Sequence, residues 1–383
     1  MRVWSCLISL LLLFLSFSSA LSADQITTDP AADSQPSWSP ANDYIAFVSN
    51  RSGNYDIWVI PVSGGEAVQI TTDPAGEWSP AWSPDGSMLA FNSYRTGGGD
   101  IYTKPLAGGP ATQVTTDPAN EWMPVWSPDG SQIGFTSERS GNYDIWVIPA
   151  SGGTATQITT DPASDKRLSW SPDGSQFAFQ SDRSGNTDIW LIPSSGGVAV
   201  PFTDHAANEH SPVWSPDGSM IAFRSTRSGN PDIWIKPLTG GDAIQATTEL
   251  STEAMPTWSP SGTKIAYHSD LSGNSDIWVA DFNISGSFED FVRAGLHGSY
   301  PNPFNPSTTI VFELRESSVV LLQLFDVKGQ LVNTLASSFM SPGTYQKIWD
   351  GTNMSGRKVA SGAYLVHLRT GDLLQTRKIS LIK

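Results

Sequence analysis

Short apolar runs separated by Gly, Pro, Ser, Asn and Asp fill most of the chain. The runs read Ile-Ala-Phe or Asp-Ile-Trp-Val-Ile, as at residues 45–47 and 56–60, and turn-forming residues follow each of them. Runs of this length that are rich in β-branched and aromatic residues predict β-strands. The composition agrees, because 34 Gly, 27 Pro and 15 Trp with only 15% charged residues favour strands and tight turns over helices. We therefore expect an all-β protein.

Three motifs recur together every 44 residues. They are Trp-Ser-Pro, Asp-Ile-Trp (Asp-Ile-Tyr in one copy) and a segment of the type Gln-Ile-Thr-Thr. Repeats of about 40 to 50 residues built from strands and turns are typical of propeller blades. The sequence predicts a six-bladed β-propeller over residues 25–284. The six copies of Trp-Ser-Pro begin at Trp38, Trp82, Trp126, Trp170, Trp214 and Trp258.

Each repeat contains four predicted strands. The first leads to Trp-Ser-Pro, the second is Ile-Ala-Phe, the third is Asp-Ile-Trp and the fourth is Gln-Ile-Thr-Thr. The chain enters at a fourth-type segment, 25–28, and leaves the last repeat after a third-type segment, 276–282. We expect these two segments to pair, which completes the sixth blade and closes the ring. The six Trp-Ser-Pro tryptophans are expected to be equivalent and buried between blades.

The repeat has a specific resemblance. Its pattern Pro-x-Trp-Ser-Pro-Asp-Gly, Ile-Ala-Phe-x-Ser and Asp-Ile-Trp resembles the WD-like repeat of TolB-type propellers over residues 25–284. The resemblance implies a binding role, because that group includes periplasmic scaffolds that bind other proteins. Similar propellers also precede peptidase domains. We expect no peptidase here, since a Gly-x-Ser-x-Gly motif is absent and the residues after the propeller are too few for a hydrolase domain.

The period ends at residues 285–299, which we interpret as a linker. Beyond it apolar residues alternate with polar ones, as at Ile310, Phe312 and Leu314, which predicts a small antiparallel sandwich. The strings at 300–306 (Tyr-Pro-Asn-Pro-Phe-Asn-Pro), 325–329, 349–351 and 360–364 look like those of a FlgD-like immunoglobulin domain over residues 300–383. Such domains serve as C-terminal sorting signals of the type IX secretion system. The resemblance implies the secretion machinery as a partner.

Residues 1–20 have the layout of a secretory signal peptide. Arg2 precedes an apolar run at 7–17, and small residues lead to Ala20, after which we expect cleavage. The run is shorter than the roughly 20 apolar residues that a membrane-spanning helix needs, so we expect no transmembrane segment in the mature chain. The single cysteine, Cys6, precedes the run, so the mature chain has no thiol. These features predict a protein secreted through the periplasm, or held at the surface, of a Gram-negative-type bacterium.

The net charge of -15 is unevenly distributed. Residues 1–284 hold 12 Lys and Arg against 30 Asp and Glu, which gives -18, whereas residues 285–383 hold 10 against 7, which gives +3. An acidic body argues against nucleic acid and anionic membranes as partners. On charge alone, a charged ligand is expected to be cationic.

One acidic position recurs in the loop that enters the innermost strand of every blade. Six carboxylates there would ring one mouth of the channel and attract amines, basic peptides or a cation. The alternative is structural, since each carboxylate could cap backbone amides or pair with an arginine of the Arg-Ser-Gly-Asn loop. The six residues are Asp33, Glu77, Glu121, Asp165, Glu209 and Glu253.

Specificity is expected where the repeats differ, and the position after the carboxylate varies most. It places two tryptophans on adjacent blades, where they could stack on a sugar ring or an apolar side chain. The alternative is ordinary loop packing. A further variable loop carries Tyr55 and Tyr143. The predicted ligand-binding residues at this position and beside it are Trp78, Trp122, Lys166, Arg167 and His210.

These features predict a binding or scaffold protein and no enzyme. The expected ligands are proteins or peptides first and glycans second, and no cofactor or metal is expected, because the histidines lack the spacing of metal motifs. One alternative is a degenerate lyase or hydrolase with a metal in the channel, for which His205 and His210 are the nearest ligands. The other is a purely structural surface protein.

Overall fold

The computed structural model describes residues 23–282, 295–300, 307–314, 317–341, 343–370 and 373–382. The chain divides into two compact units, one formed by residues 1–238 and 242–282 and the other by 239–241 and 283–383. All regular elements in the described ranges are β-strands, as the composition predicts. Accordingly, those ranges contain no apolar helix of the length that spanning a membrane requires. The predicted signal peptide, 1–20, lies outside the described residues.

The described part of the first unit contains 24 strands in six four-stranded antiparallel sheets. The first strands of the sheets are β2 (Asp33–Trp38), β6 (Glu77–Trp82), β10 (Glu121–Trp126), β14 (Asp165–Trp170), β18 (Glu209–Trp214) and β22 (Glu253–Trp258). The second strands are β3 (Tyr44–Ser49), β7 (Met88–Ser93), β11 (Gln132–Ser137), β15 (Gln176–Ser181), β19 (Met220–Ser225) and β23 (Lys264–Ser269). The third strands are β4 (Asp56–Pro61), β8 (Asp100–Pro105), β12 (Asp144–Pro149), β16 (Asp188–Pro193), β20 (Asp232–Pro237) and β24 (Asp276–Asp281). The fourth strands are β5 (Val68–Gln69), β9 (Thr112–Gln113), β13 (Thr156–Gln157), β17 (Val200–Pro201), β21 (Ile244–Gln245) and β1 (Ala23–Gln25).

The two ends of the first unit meet in one sheet. Its strand order is β22-β23-β24-β1, and Gln25 lies opposite Trp278 in the antiparallel pair β1–β24. The Ile26 N–H continues the ladder by donating to the Ile277 carbonyl at 2.8 Å. The predicted pairing of 25–28 with 276–282 is confirmed, and it removes the exposed sheet edges that an open ring would leave.

Each fourth strand is shorter than the predicted Gln-Ile-Thr-Thr segment. Strand β5 ends at Gln69, and the next two N–H groups, of Ile70 and Thr71, both donate to the Ile57 carbonyl. The Thr71 hydroxyl then accepts the Ile57 N–H at 2.8 Å. The threonine side chain thus takes over the pairing where the regular ladder ends.

Apolar side chains of neighbouring sheets form the core of the first unit. One cluster combines Ala90 and Ile101 of one sheet with Ile133, Phe135 and Ile148 of the next. The Trp-Ser-Pro tryptophans are less equivalent than expected. Trp38, Trp214 and Trp258 are buried, whereas Trp82, Trp126 and Trp170 are only half-buried.

Every first strand contains a β-bulge at the same repeat position. The pairing of β10 with β11 shifts register between Trp122 and Val125, and Met123 there has a φ of 56°. A bulge redirects the side chain of the extra residue, and all six bulge residues line the central opening of the ring. The bulge was not predicted from the sequence. The six residues, all with φ between 53° and 56°, are Gln35, Ser79, Met123, Arg167, Ser211 and Met255.

The second unit consists of two antiparallel sheets with the orders β25-β26-β29 and β28-β27-β30-β31. Apolar residues from both sheets, such as Phe312 and Leu322, belong to one buried cluster. The predicted linker, 285–299, needs correction, because residues 295–299 belong to a strand and 283–294 lie outside the described residues. The strands are β25 (Gly295–Tyr300), β26 (Thr308–Leu314), β27 (Ser318–Asp326), β28 (Leu331–Met340), β29 (Gly343–Trp349), β30 (Gly362–Thr370) and β31 (Leu373–Leu381).

Candidate functional site

The first unit contains an open cavity of about 700 Å³. It adjoins the central opening, since five bulge residues line both spaces. Its volume lies within the range of small-molecule binding sites. The lining residues are Ser34, Gln35, Trp122, Met123, Thr136, Tyr143, Lys166, Arg167, Gln180, His210, Ser211, Arg224, Ala254, Met255 and His268.

Four of the five predicted ligand-binding residues of the variable position line this cavity. Trp122, Lys166, Arg167 and His210 are brought together from strands β10, β14 and β18. Trp78 is not among the lining residues. Its ring packs against Tyr55, with 4.1 Å between the ring centroids, a contact of the kind that the loop-packing alternative describes.

Aromatic side chains form one wall of the cavity. The Trp122 indole N–H donates to the Tyr94 hydroxyl at 2.8 Å, and the Trp122 ring lies 5.4 Å from the Tyr143 ring. The Lys166 ammonium lies 3.8 Å from the centroid of the Tyr143 ring, a cation–π contact. These contacts hold the Trp122 ring in one orientation, as a binding platform requires.

The charged groups that line the cavity are cationic. Lys166, Arg167 and Arg224 line it, and no Asp or Glu is among the lining residues. Burial, with a smaller effect of neighbouring Arg224, lowers the pKa of Arg167 to about 10. The local charge of this cavity is therefore opposite to the net charge of the whole chain, from which a cationic ligand was expected.

Two histidines lie beside these cations. His210 pairs with Arg224 across β18 and β19, and His268 lies opposite Ala254 on the next sheet. Burial, followed by the charges of Arg224 and Arg167, lowers the pKa of His210 to about 4. Burial and the same two arginines lower the pKa of His268 to about 4. Both imidazoles are therefore neutral at pH 7 and can donate and accept hydrogen bonds.

The six recurring carboxylates are fully buried and do not line the cavity. Five of them pair with an arginine from the loop after the second strand, which is the alternative considered from the sequence. The Arg139 Nη2 lies 2.8 Å from the Glu121 carboxylate, and its guanidinium also stacks on Trp146, 4.9 Å from the ring centroid. The five pairs are Asp33–Arg51, Glu77–Arg95, Glu121–Arg139, Asp165–Arg183 and Glu209–Arg227.

The sixth carboxylate, Glu253, lacks an arginine because Leu271 occupies that repeat position. Three hydroxyl groups contact it, and Ser251 is the one that the arginine-containing repeats lack. Ser251 and Ser269 donate to the Oε1 of Glu253, and Thr247 donates to its Oε2 at 3.2 Å. Burial raises the pKa of Glu253 to about 7. The other five repeats have alanine where this one has Ser251, so the serine accompanies the loss of the arginine.

Several cavity residues were missed by the sequence analysis. Four of them occupy the variable position of the Ile-Ala-Phe-x-Ser motif, which faces the cavity from the second strand. Its variability was a usable signal, since the flanking positions hardly change. The residues at this position are Val48, Asn92, Thr136, Gln180, Arg224 and His268.

The two histidines considered as metal ligands are not brought together in the cavity. His210 lines it, whereas His205 does not, and the His205 Nδ1 accepts the Ala207 N–H at 2.9 Å. Across the described ranges, no group of three or more His, Cys, Asp or Glu side chains has an arrangement that could hold a metal ion.

Two family models match the chain. The TolB β-propeller domain matches residues 168–341, and the N-terminal β-propeller domain of the Tricorn protease matches residues 96–187. The chain therefore contains a TolB-like β-propeller domain. No curated protein sequence matches it.

Solved structures share the fold. TolB from Acinetobacter baumannii is 24% identical with a TM-score of 0.55; the match covers 66% of this chain and 61% of TolB, so the chain spans less than two thirds of that relative. An oligogalacturonate lyase from Vibrio parahaemolyticus is 15% identical with a TM-score of 0.52, over 70% of this chain and 96% of the lyase. A gluconolactonase from Xanthomonas campestris is 12% identical with a TM-score of 0.53, over 68% and 89%. At these identities the likeness shows the fold alone.

Proposed function

We propose that this chain is an exported binding protein, whose six sheets are the blades of a six-bladed propeller and whose cavity holds the ligand. One observation carries the proposal. The framework repeats almost unchanged around the ring, whereas the side chains that line the cavity differ from sheet to sheet. Repeated residues serve the fold of a repeat protein, so the variable residues that converge on one cavity are the candidates for recognition.

The neighbouring sheets offer a matched pair of variants for testing this site. Trp78 and Trp122 occupy the same repeat position, but only Trp122 lines the cavity. The full-length protein would be screened on glycan and peptide arrays, and the affinity for any ligand found would then be measured for both variants. Trp122→Ala should weaken binding at least tenfold, because stacking on an anchored aromatic ring is lost. Trp78→Ala should leave the affinity unchanged.

Two outcomes would contradict the proposal. Equal effects of the two substitutions would show that recognition does not use the aromatic wall of this cavity. Turnover of an array ligand by the purified protein, with metal bound in stoichiometric amount, would favour the channel-metal enzyme.

We also propose that the second unit is a FlgD-like immunoglobulin sandwich that directs export. Its two sheets share a buried core of their own, which supports a separate folding unit. A chain ending at residue 284 should keep the propeller, since β1 already closes the ring. It should accumulate in the periplasm, whereas the full chain reaches the surface or medium. Cell fractionation compares the two, and normal export of the shortened chain would show that the second unit has another role.

A further inference from the structure

The arginines of the first unit fall into two groups, those that pair with a carboxylate and those that do not. Its described range, 23–282, contains seven arginines, and five of them pair with the buried carboxylates described above. The other two, Arg167 and Arg224, have no carboxylate within ion-pair distance among the described residues, and both line the cavity. The fold thus supplies a partner for each arginine of the framework and leaves the two cavity arginines uncompensated.

The position of these two arginines makes that arrangement costly without a ligand. Arg167 stands at a β-bulge of β14, and Arg224 lies on β19, where its Nε is buried without a hydrogen-bond partner among the described residues. A partly buried guanidinium loses hydration, and a second positive charge nearby adds repulsion. The lowered pKa values of Arg167, His210 and His268 have burial as their main cause and the neighbouring arginines as the next. An oxyanion between the two guanidinium groups would restore hydrogen bonds and charge balance together.

We propose that the cavity binds a small organic anion, whose carboxylate or phosphate group is held by Arg167 and Arg224 with Lys166 beside them. The rest of the ligand lies against the rings of Trp122 and Tyr143. This inference rests on the proposed function, since it names the ligand class of the same site. The ligand is small because the net charge of -15 repels large polyanions, whereas a cavity of about 700 Å³ admits a compact one.

The polar lining is suited to the neutral part of such a ligand. Gln35, Gln180 and Ser211 offer amide and hydroxyl groups, and neutral His210 and His268 can each donate or accept a hydrogen bond. Arginines that grip the anionic group, polar groups around it and an aromatic wall make a site that orients a ring bearing an acid.

Isothermal titration calorimetry of the full-length protein at low salt, which measures the affinity for each probe, tests the proposal. The probes are D-galacturonate, its neutral counterpart D-galactose, citrate and inorganic phosphate. If the cavity recognises a carboxylate, galacturonate or citrate should bind with at least tenfold higher affinity than galactose. If phosphate binds more tightly than both carboxylates, the ligand is a phosphorylated compound instead. Failure of all three anions to bind would overturn the inference.

The variants locate the bound anion. Arg167→Gln and Arg224→Gln should each reduce the affinity at least tenfold, and Arg224→Lys should restore part of it. Lys104→Gln is the matched control, because it removes the same charge from the same unit outside the cavity and should change nothing. Thermal melting checks that each variant folds. An arginine variant that folds and binds the anion as the parent does would refute the assignment.

The two proposals fail in different ways. A neutral array ligand that depends on Trp122 but not on either arginine would leave the binding function standing and remove the anion. Anion binding that depends on the arginines but is unchanged by Trp122→Ala would support the anion site and refute a role of the aromatic wall in binding.

Discussion

Replacing Arg139 by leucine removes the cation that faces a fully buried carboxylate, and it copies what the sixth sheet has at Leu271. The Glu121 side chain is 0% exposed and that of Arg139 is 16% exposed. Removing one member of such a buried pair costs about 3 to 5 kcal/mol of unfolding free energy. For a unit of this size each kcal/mol lowers the melting temperature by about 2 to 4 °C. We therefore expect Arg139→Leu to melt about 6 to 20 °C below the parent.

The sixth sheet also indicates a substitution that should compensate for the missing arginine. Ser251 donates to Glu253 there, whereas Ala119 stands at the corresponding place beside Glu121. Adding Ala119→Ser to Arg139→Leu should recover about 1.5 to 3 kcal/mol, the value of a hydrogen bond to a charged group. Ala119→Ser alone should have a smaller effect, since Arg139 already donates to the Oε1 of the Glu121 carboxylate.

The cost should also depend on pH. Burial raises the pKa of Glu121 to about 7, and removing Arg139 raises it further. A carboxyl with a raised folded-state pKa stabilises the protein as the pH falls from that pKa toward its unfolded value near 4.5. The deficit of Arg139→Leu should therefore be smaller at pH 5 than at pH 8.

Urea denaturation of the four proteins of this double-mutant cycle, followed by tryptophan fluorescence at both pH values, measures these effects. A loss below about 1 kcal/mol would contradict a strong buried pair. Equal stability of the double variant and Arg139→Leu would show that the serine does not compensate for the missing arginine.

Two further predictions follow from individual contacts. A Cβ on Gly134 would lie 2.5 Å from the Leu168 Cδ1, so Gly134→Ala should lower the free energy of unfolding by about 1 to 3 kcal/mol, measured by urea denaturation. Adding Leu168→Pro, which restores the residue of the other five repeats, should relieve this clash. If the double variant is no more stable than Gly134→Ala, that contact is not the cause. The lowered pKa of His268 predicts a neutral imidazole at pH 6 in an NMR titration. The parent should also lose stability relative to His268→Gln as the pH falls from 6.5 to about 4, because the imidazole of the unfolded chain takes up the proton first. A titration midpoint near 6.5 would show that the imidazole is not desolvated.

Much of the fold could be predicted from the sequence because the same pattern of strands and turns occurs in six repeats. The positions of Trp-Ser-Pro and Asp-Ile-Trp located the first and third strands, and the phase of the two chain ends predicted the pairing of β1 with β24. The fourth strand was overestimated, because Thr71 and its equivalents replace a backbone partner with a hydroxyl, which no hydrophobic pattern reveals. In the second unit the sequence predicts a linker over 285–299, although residues 295–299 belong to β25, because this strand shows no clear alternation of apolar and polar residues.

For the candidate site, the sequence identified which residues vary but not which of them meet. Trp78 and Trp122 are equivalent in the repeat and each packs on a tyrosine, yet only Trp122 lines the cavity. The recurring carboxylates were recognised as either a charged ring or structural pairs, and only burial beside the arginines separates these alternatives.

The sequence by itself determined the repeat, the strand order, the closure of the ring and the acidic character of the body. These properties depend on local patterns and on sums over residues. The tertiary structure decided the charge of the cavity, because that charge depends on which ionised groups are neutralised by a neighbour. Five arginines face buried carboxylates, while Arg167, at a bulge in β14, lines the cavity together with Arg224. The result is a cationic cavity in a chain of net charge -15, since an electric field in a cavity is set by the nearest unpaired charges and not by the total.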